Sequence, residues 1–306
     1  MLTQAIPTDP FSNPQPFTVN SLIDAQSADF RSKCNSLPFL FRHSLGKLQE
    51  FQADYIRSLA VKFADEDRPM YCGAGKTAVD GSFDGDGSEE SYTPRTALDN
   101  LTTAQLLLKL PKISALPEYQ KFLGGYLDQI LEMSGLSAHG YSDRRSISVF
   151  MATPGKVTPY HIDGELNYLC QITGTKKVWV VDGRDRELVT EVELERFWRG
   201  DGQAAYFKEL CLERAYCFTL QPGTGVHIPI NYPHWVENGS ELSISVSLNF
   251  HPTYYRKGAV HRFNSYLREW GLNPTPPGKN ALLDEMKGSF YRLARQMSRL
   301  AKASAH

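Results

Sequence analysis

Between Arg145 and Phe250 the chain becomes a succession of short β-type segments separated by turns, and this run most restricts the fold it can take. Ser243-Ile244-Ser245-Val246-Ser247-Leu248-Asn249 alternates strictly between polar and apolar residues, the period of a strand with one buried face. That strand spans Leu242 to Phe250, and Ser146 to Met151, Lys177 to Gly183, Tyr216 to Leu220 and Gly225 to Pro229 read as further strands. A helical insertion is expected at about 190–212. So many short strands in tandem predict a sandwich or barrel of the jelly-roll type.

Helices are expected on both sides of this region. Leu45 to Phe63 carries apolar residues near one helical face, with Ser44 as a candidate N-cap. Pro117 to Met133 reads as one helix, with proline at its start and Gly135 just past its end. His261 to Trp270 is a third, stopped by Gly271. Leu283, Met286, Phe290, Leu293, Met297 and Leu300 then follow a heptad seam. Such a seam either docks on its own domain or pairs with a second copy. Two and a half heptads are too short to stand alone. The expected organisation is an irregular N-terminal arm over 1–40, a catalytic domain over 41–255 with its motif core at 146–250, and a C-terminal helical segment over 256–306 whose residues 281–303 could form a homodimer.

The chemistry concentrates in Thr158-Pro159-Tyr160-His161-Ile162-Asp163. Residues two apart on a strand share a face, so His161 and Asp163 can reach one metal. A distant histidine would complete a 2-His-1-carboxylate triad, which holds Fe(II) on one octahedral face and leaves open positions for cosubstrate and O₂. His227 and His234 both compete for that place, and spacing does not choose between them. Asp163 itself favours hydroxylation-type reactions, because glycine or alanine there would open a position for halide.

Composition excludes other classes. Basic and acidic side chains nearly cancel, 33 against 34, which argues against a nucleic-acid or membrane-surface protein. Five scattered cysteines fit reduced thiols in a cytoplasm better than a disulfide framework. The N-terminus lacks the basic start and apolar run of a signal peptide. Gly73-Ala74-Gly75-Lys76-Thr77 looks like the end of a P-loop, but its first glycine would fall on Met70, and no apolar strand leads into it. Asp84-Gly85-Asp86 fails as a calcium loop, with Glu89 where the sixth-position glycine belongs. The segment from Asp80 to Glu90 reads as a solvated acidic loop.

Residues 146–250 resemble the JmjC-type, cupin-like Fe(II)/2-oxoglutarate oxygenases, and within them the branch of the asparaginyl hydroxylase of hypoxia-inducible factor. The resemblance rests on Val157-Thr158-Pro159-Tyr160-His161-Ile162-Asp163, then Asn167, then Gln171-Ile172-Thr173-Gly174-Thr175-Lys176. A third segment matches at Ile228-Pro229, His234 and Asn249-Phe250, and in that register His234 takes the ligand position rather than His227. The resemblance implies a double-stranded β-helix (jelly-roll, cupin/JmjC) core, mainly β, with flanking helices and C-terminal helices. It implies Fe(II) held by His161, Asp163 and His234, with 2-oxoglutarate as cosubstrate. Lys176 and Thr158 would take the far carboxylate of the keto acid, and Asn167 and Asn249 match polar residues near its iron-bound end. The implied reaction is a dioxygenase hydroxylation of a C–H bond on a peptide, a protein side chain or a small metabolite, releasing succinate and CO₂. The rival is a non-catalytic cupin-like binding or regulatory protein that kept the pocket. The family also places a tyrosine on the cosubstrate from an earlier strand. His251 departs from the tryptophan that the family has after Asn-Phe.

Overall fold

The computed structural model describes residues 22–24, 29–81, 92–101, 104–141 and 145–303. Residues 1–21 and 82–91, and with them most of the N-terminal arm and of the acidic loop, lie outside the described residues. The strands are β1 (Phe39–Arg42), β2 (Tyr71–Ala74), β3 (Leu106–Leu110), β4 (Arg145–Ala152), β5 (Val157–His161), β6 (Leu166–Thr173), β7 (Lys176–Val180), β8 (Tyr216–Leu220), β9 (Thr224–Ile228), β10 (His234–Asn238) and β11 (Ser243–Phe250). The helices are α1 (Asp29–Lys33), α2 (Ala53–Asp65), α3 (Pro94–Asp99), α4 (Pro117–Gly124), α5 (Tyr126–Met133), α6 (Glu191–Trp198), α7 (Leu210–Arg214), α8 (Arg256–Glu269) and α9 (Ala281–Ala303).

Two antiparallel sheets face each other. The larger has the order β1-β9-β6-β11-β4-β3-β2, the smaller β5-β10-β7-β8. Consecutive strands mostly lie in different sheets, as in a jelly roll. The space between the sheets is packed by Leu169, Val226 and Ile228 from the large sheet against Val178, Val180, Phe218, Leu220 and Val236 from the small one. The outer face of the large sheet carries Ile147, Val149, Tyr168, Ile244, Val246 and Leu248 against α2, α4 and α5. The outer face of the small sheet is roofed by the insertion, where Leu194 and Cys211 pack with Trp235 and Tyr160. Its first helix is fixed by a capping box: Thr190 Oγ1 accepts from the Glu193 N–H, and Glu193 Oε2 accepts from the Thr190 N–H at 2.8 Å.

The structure corrects the sequence reading in several places. All eight residues of β11 are buried. Its alternation does not report a solvent face. The apolar residues turn to the helical layer, and the serines and Asn249 turn into the sandwich. The arm is not irregular throughout, since α1 lies within it and Phe30 joins the main core. Leu45 to Phe63 is two 3₁₀ turns followed by α2, because Leu48 and Gln52 are extended and Ser44 makes no side-chain cap. Pro117 to Met133 breaks at Gly124-Gly125, the weakest helix formers short of proline. The Leu123 carbonyl, close to that break, accepts from Arg145 Nη1 at 2.9 Å. A strand, β2, does lead into Gly75-Lys76-Thr77. That loop is tied down by Lys156, whose Nζ donates to the Gly75 carbonyl and to Thr77 Oγ1 at 2.9 Å.

The heptad helix also differs from the expectation of a docked seam. α9 lies on α8 mainly by a polar edge: Lys287 Nζ donates to Asn264 Oδ1 at 2.7 Å and to the Thr275 carbonyl, and Asp284 accepts from the Gly278 N–H. Of the seam residues, Phe290 also meets α8, its ring edge-on to Phe263 at 5.5 Å. Met286, Phe290, Leu293 and Met297 are 56–62% exposed. No described helix is long and apolar enough to cross a membrane.

Candidate metal centre and anion chamber

His161 and His234 are directly opposite each other on neighbouring strands β5 and β10, and their rings lie 4.1 Å apart between centroids. Asp163 follows on the end of β5. Its Oδ2 stands 3.9 Å from His161 Nε2 and 3.7 Å from His234 Nε2. One ligand atom from each of the three lies within 4.8 Å of the others. Each imidazole is turned by its own backbone: His161 Nδ1 bonds the Pro159 carbonyl at 2.7 Å, and His234 Nδ1 bonds the Tyr232 carbonyl at 3.1 Å. A carbonyl can only accept, so Nδ1 carries the proton and Nε2 presents its lone pair to the common point.

The turn before His234 has a specific build. Asn231 adopts a left-handed φ of 66°. Its N–H donates to the Asp163 carbonyl at 3.2 Å, and its Oδ1 accepts from Trp198 Nε1 at 2.9 Å. Gly183 lies so close that a Cβ there would meet the Asn231 carbonyl oxygen at 2.1 Å. The two halves of the cluster are thus held together by backbone contacts as well as by strand pairing.

His227 belongs to a different environment. It lies on β9, fully buried, against the rings of Tyr168 and Phe39. Its Nδ1 bonds the Asn167 carbonyl at 3.0 Å, and its Nε2 accepts from the Asn35 N–H at 3.1 Å. Both nitrogens are committed, so it has no lone pair to offer a metal. Burial pushes its pKa down to about 3.

Electrostatics keep the cluster in a ligating state. Burial pushes the Asp163 carboxyl up, but His161, His234, Lys109 and His251 outweigh this and hold it below the ordinary carboxylate value. Burial, reinforced by His161, lowers His234 to about 4, so it is neutral at physiological pH. A cavity of about 390 Å³ opens over His161 and Asp163, and a small inner chamber continues to Lys176, His234 and Ser245. Thr158 and Asn167 line both spaces, and Asn249 the outer one.

Along β7, Lys176 points inward and Lys177 outward. Lys176 Nζ donates to Ser245 Oγ at 2.9 Å, and no described carboxylate pairs with it. Burial lowers its pKa to about 7. Asn167 donates to Ser247 Oγ and, at 2.9 Å, to Asn249 Oδ1. The buried oxygens Asn167 Oδ1 and Asn238 Oδ1 have no described partner.

Sequence reasoning missed Tyr71, Lys109 and Phe150, which line the outer cavity from β2, β3 and β4. Lys109 Nζ stands over the Phe150 ring at 5.1 Å. The signal for Tyr71 was the short strand before Gly75, hidden behind the failed P-loop. Ser245 and Ser247 were visible only as the polar phase of an alternating strand.

A family profile described as the cupin-like domain matches residues 86–256, more than half of the sequence. The chain belongs to the cupin-like family. Among curated proteins no match was found. Among solved structures, this cupin-like chain is similar to the ribosomal oxygenase YcfD of Escherichia coli, with 15% identity and a TM-score of 0.47, covering 86% of this chain and 64% of that one. The same protein in complex with cobalt and 2-oxoglutarate gives 16%, 0.47, 86% and 64%. The formate complex of an oxalate decarboxylase of Lactobacillus farciminis gives 19% identity and a TM-score of 0.24, over 36% of this chain and 25% of that one. The chain thus spans less than two thirds of the YcfD chain.

Proposed function

We propose that this protein is an Fe(II)/2-oxoglutarate-dependent dioxygenase that hydroxylates a C–H bond of a peptide, a protein side chain or a small metabolite. The observation that carries the reading is the meeting of His161, Asp163 and His234, with both Nδ1 atoms tied to carbonyls and both Nε2 atoms facing the carboxylate. Two imidazoles and one carboxylate on one side of a cavity suit ferrous iron, and no thiolate takes part.

Fe(II) with the keto acid and O₂ supplies the oxidising power when bound. The rest is the work of the chain. His161, Asp163 and His234 would hold the metal by one face. Lys176 would take the far carboxylate of 2-oxoglutarate, with Thr158 beside it, as a charge-assisted contact in a dry chamber. That role explains a buried lysine whose only described hydrogen-bond partner is a serine hydroxyl. Asn167 and Asn249, fixed by each other and by Ser247, would orient the metal-side end. Leu107 and Phe150 wall the space against water.

The protein partner in this reading is a second copy, seated on the exposed stripe of α9. Leu282, Met286, Phe290, Leu293 and Met297 stand more than half exposed in register. At roughly 200 Å² per large side chain, they offer on the order of 600 Å², close to the ~800 Å² that each partner gives to a stable interface. Five unpaired thiols support a reducing, cytoplasmic setting.

The test is succinate release from 2-oxoglutarate by protein reconstituted with Fe(II), read beside Co(II) binding by titration calorimetry. His161→Ala and Asp163→Ala should each abolish turnover and weaken metal binding at least tenfold, with an unchanged circular dichroism spectrum. Turnover retained in both variants refutes the site. Absence of keto-acid consumption in the intact protein would favour a binding module instead.

A further inference from the structure

Beside the metal cluster lies a larger cavity of about 630 Å³, which shares Glu165 with the outer cavity of the site. It is built where the end of β11 passes into α8 and where α9 crosses over α8. Three guanidinium groups line it, Arg262, Arg292 and Arg295, and a neighbouring recess adds Arg199. Glu165 is the sole carboxylate among the described lining residues of the two, and it is engaged by His251 Nε2 at 3.0 Å.

The cations are only lightly compensated. Arg292 has its nearest acid, Glu285, at 3.9 Å, and that acid is held by Arg256 at 3.0 Å. Arg199 pairs with Glu269 at the far end. Arg262 donates Nε–H to the Trp198 carbonyl at 2.5 Å, and neither it nor Arg295 has a described carboxylate partner. Burial and the nearby Arg295 charge both work against the Arg262 cation. Like charges gathered on a concave wall imply an anionic visitor.

The rings decide which anion. Arg262 stands over Trp198 at 4.9 Å and over Tyr291 at 5.9 Å, and Arg292 over Tyr254 at 4.5 Å. Guanidinium planes thus occupy the faces on which nucleobases would stack. Arg292 gives one Nη2–H to Ser289 Oγ at 3.2 Å, and no described partner takes the Nη groups of Arg262 or the fork of Arg295; such edges match carboxylates in pairs. The cavity has the volume of an ordinary ligand site, and Glu165 lines both it and the cavity over His161 and Asp163.

We propose that this arginine-lined groove binds an acidic segment of a peptide substrate, so that the residue to be oxidised reaches the metal cluster while Asp or Glu side chains a few positions away are held by Arg262, Arg292 and Arg295. The proposal rests on the oxygenase reading only for the word substrate. Binding can be measured without turnover, so failure of that reading leaves the groove result standing.

The experiment uses the full chain without iron, and fluorescence anisotropy of three labelled probes: a glutamate-rich decapeptide, its lysine-rich counterpart and a single-stranded RNA decamer. The glutamate-rich peptide should bind at least tenfold more tightly than either of the others, and more weakly as salt rises. Arg292→Glu/Arg295→Glu, at two exposed positions, should cost at least tenfold in that affinity with an unchanged melting temperature. Arg262→Lys keeps the charge but loses the planar fork, and should weaken it severalfold. Equal binding of acidic and basic peptides, tighter binding of RNA, or full affinity in the double variant overturns the proposal.

Discussion

Lys176→Met separates a lysine kept for its charge from one kept for packing. In the folded protein its pKa falls from 10.5 to about 7 because burial disfavours the cation. Below pH 7 both folded and unfolded chains hold the proton, and the folded chain bears the whole cost of a dry charge. Between about 7 and 10.5 the unfolded chain binds more protons, so the native state gains stability as pH rises. Above 10.5 the difference is gone. At about 1.4 kcal/mol for each tenfold step in dissociation, the full cost is on the order of 4–5 kcal/mol. Methionine fills similar space but strands the Ser245 hydroxyl, so a net gain of about 2–3 kcal/mol is expected at pH 6.5, or roughly 3–5 °C in melting temperature. At pH 9.5 the residual cost of the charge is only about 1.4 kcal/mol, so the gain should vanish. Thermal melts of iron-free protein at both pH values, with and without 2-oxoglutarate, read all of this. The keto acid should raise the melting temperature of the wild type, less so above pH 7 as Lys176 loses its proton, and should leave the variant unmoved. A less stable variant at pH 6.5, a gain independent of pH, or equal stabilisation by the keto acid would refute the reasoning.

Three further outcomes are expected. His227→Leu should destabilise the fold by about 2–4 kcal/mol in a urea melt, through two stranded backbone groups, yet keep Co(II) affinity within a factor of two. Gly183→Ala should push the Asn231 turn away and lower metal affinity at least tenfold by titration calorimetry, since the added carbon would sit 2.1 Å from a carbonyl oxygen. Met286→Glu/Met297→Glu, at two residues more than half exposed, should halve the mass measured by light scattering without changing the melting temperature at low protein concentration. A wild-type monomer removes the second copy from the proposal.

Five strands between Arg145 and Phe250, β4, β7, β8, β9 and β11, are legible because a two-residue period and frequent turns have few other solutions; β6, buried on both faces, and the five-residue β10 escape the reading. His161 and Asp163 are legible as a pair from their spacing, although β5 ends at His161 and Asp163 lies two residues past it, where the Asn231 N–H holds its carbonyl. His227 and His234 cannot be separated by spacing. Their difference lies in what each Nδ1 and Nε2 meets, which depends on β1, β6 and the segment at Asn35, far away in sequence. Tyr71 and Lys109 escape because β2 and β3 are short, β3 being recruited by pairing with β4 and β2 by pairing with β3. The break at Gly124-Gly125 was readable in principle, but the apolar spacing on either side concealed it. The stripe on α9 shows its period plainly; which edge of the helix meets α8 is decided by Asp284 and Lys287, whose partners are invisible from α9 alone.

β11 has a strand on either side and is buried along its whole length. One face of its pleat is mortar for the helical layer, and the other is furniture of the chamber at the candidate site. A lineage cannot redecorate that room without disturbing the masonry, so its chemistry is conservative by construction. The porch made by α8 and α9 carries no such obligation, and it is there that descendants of this chain are free to choose new guests.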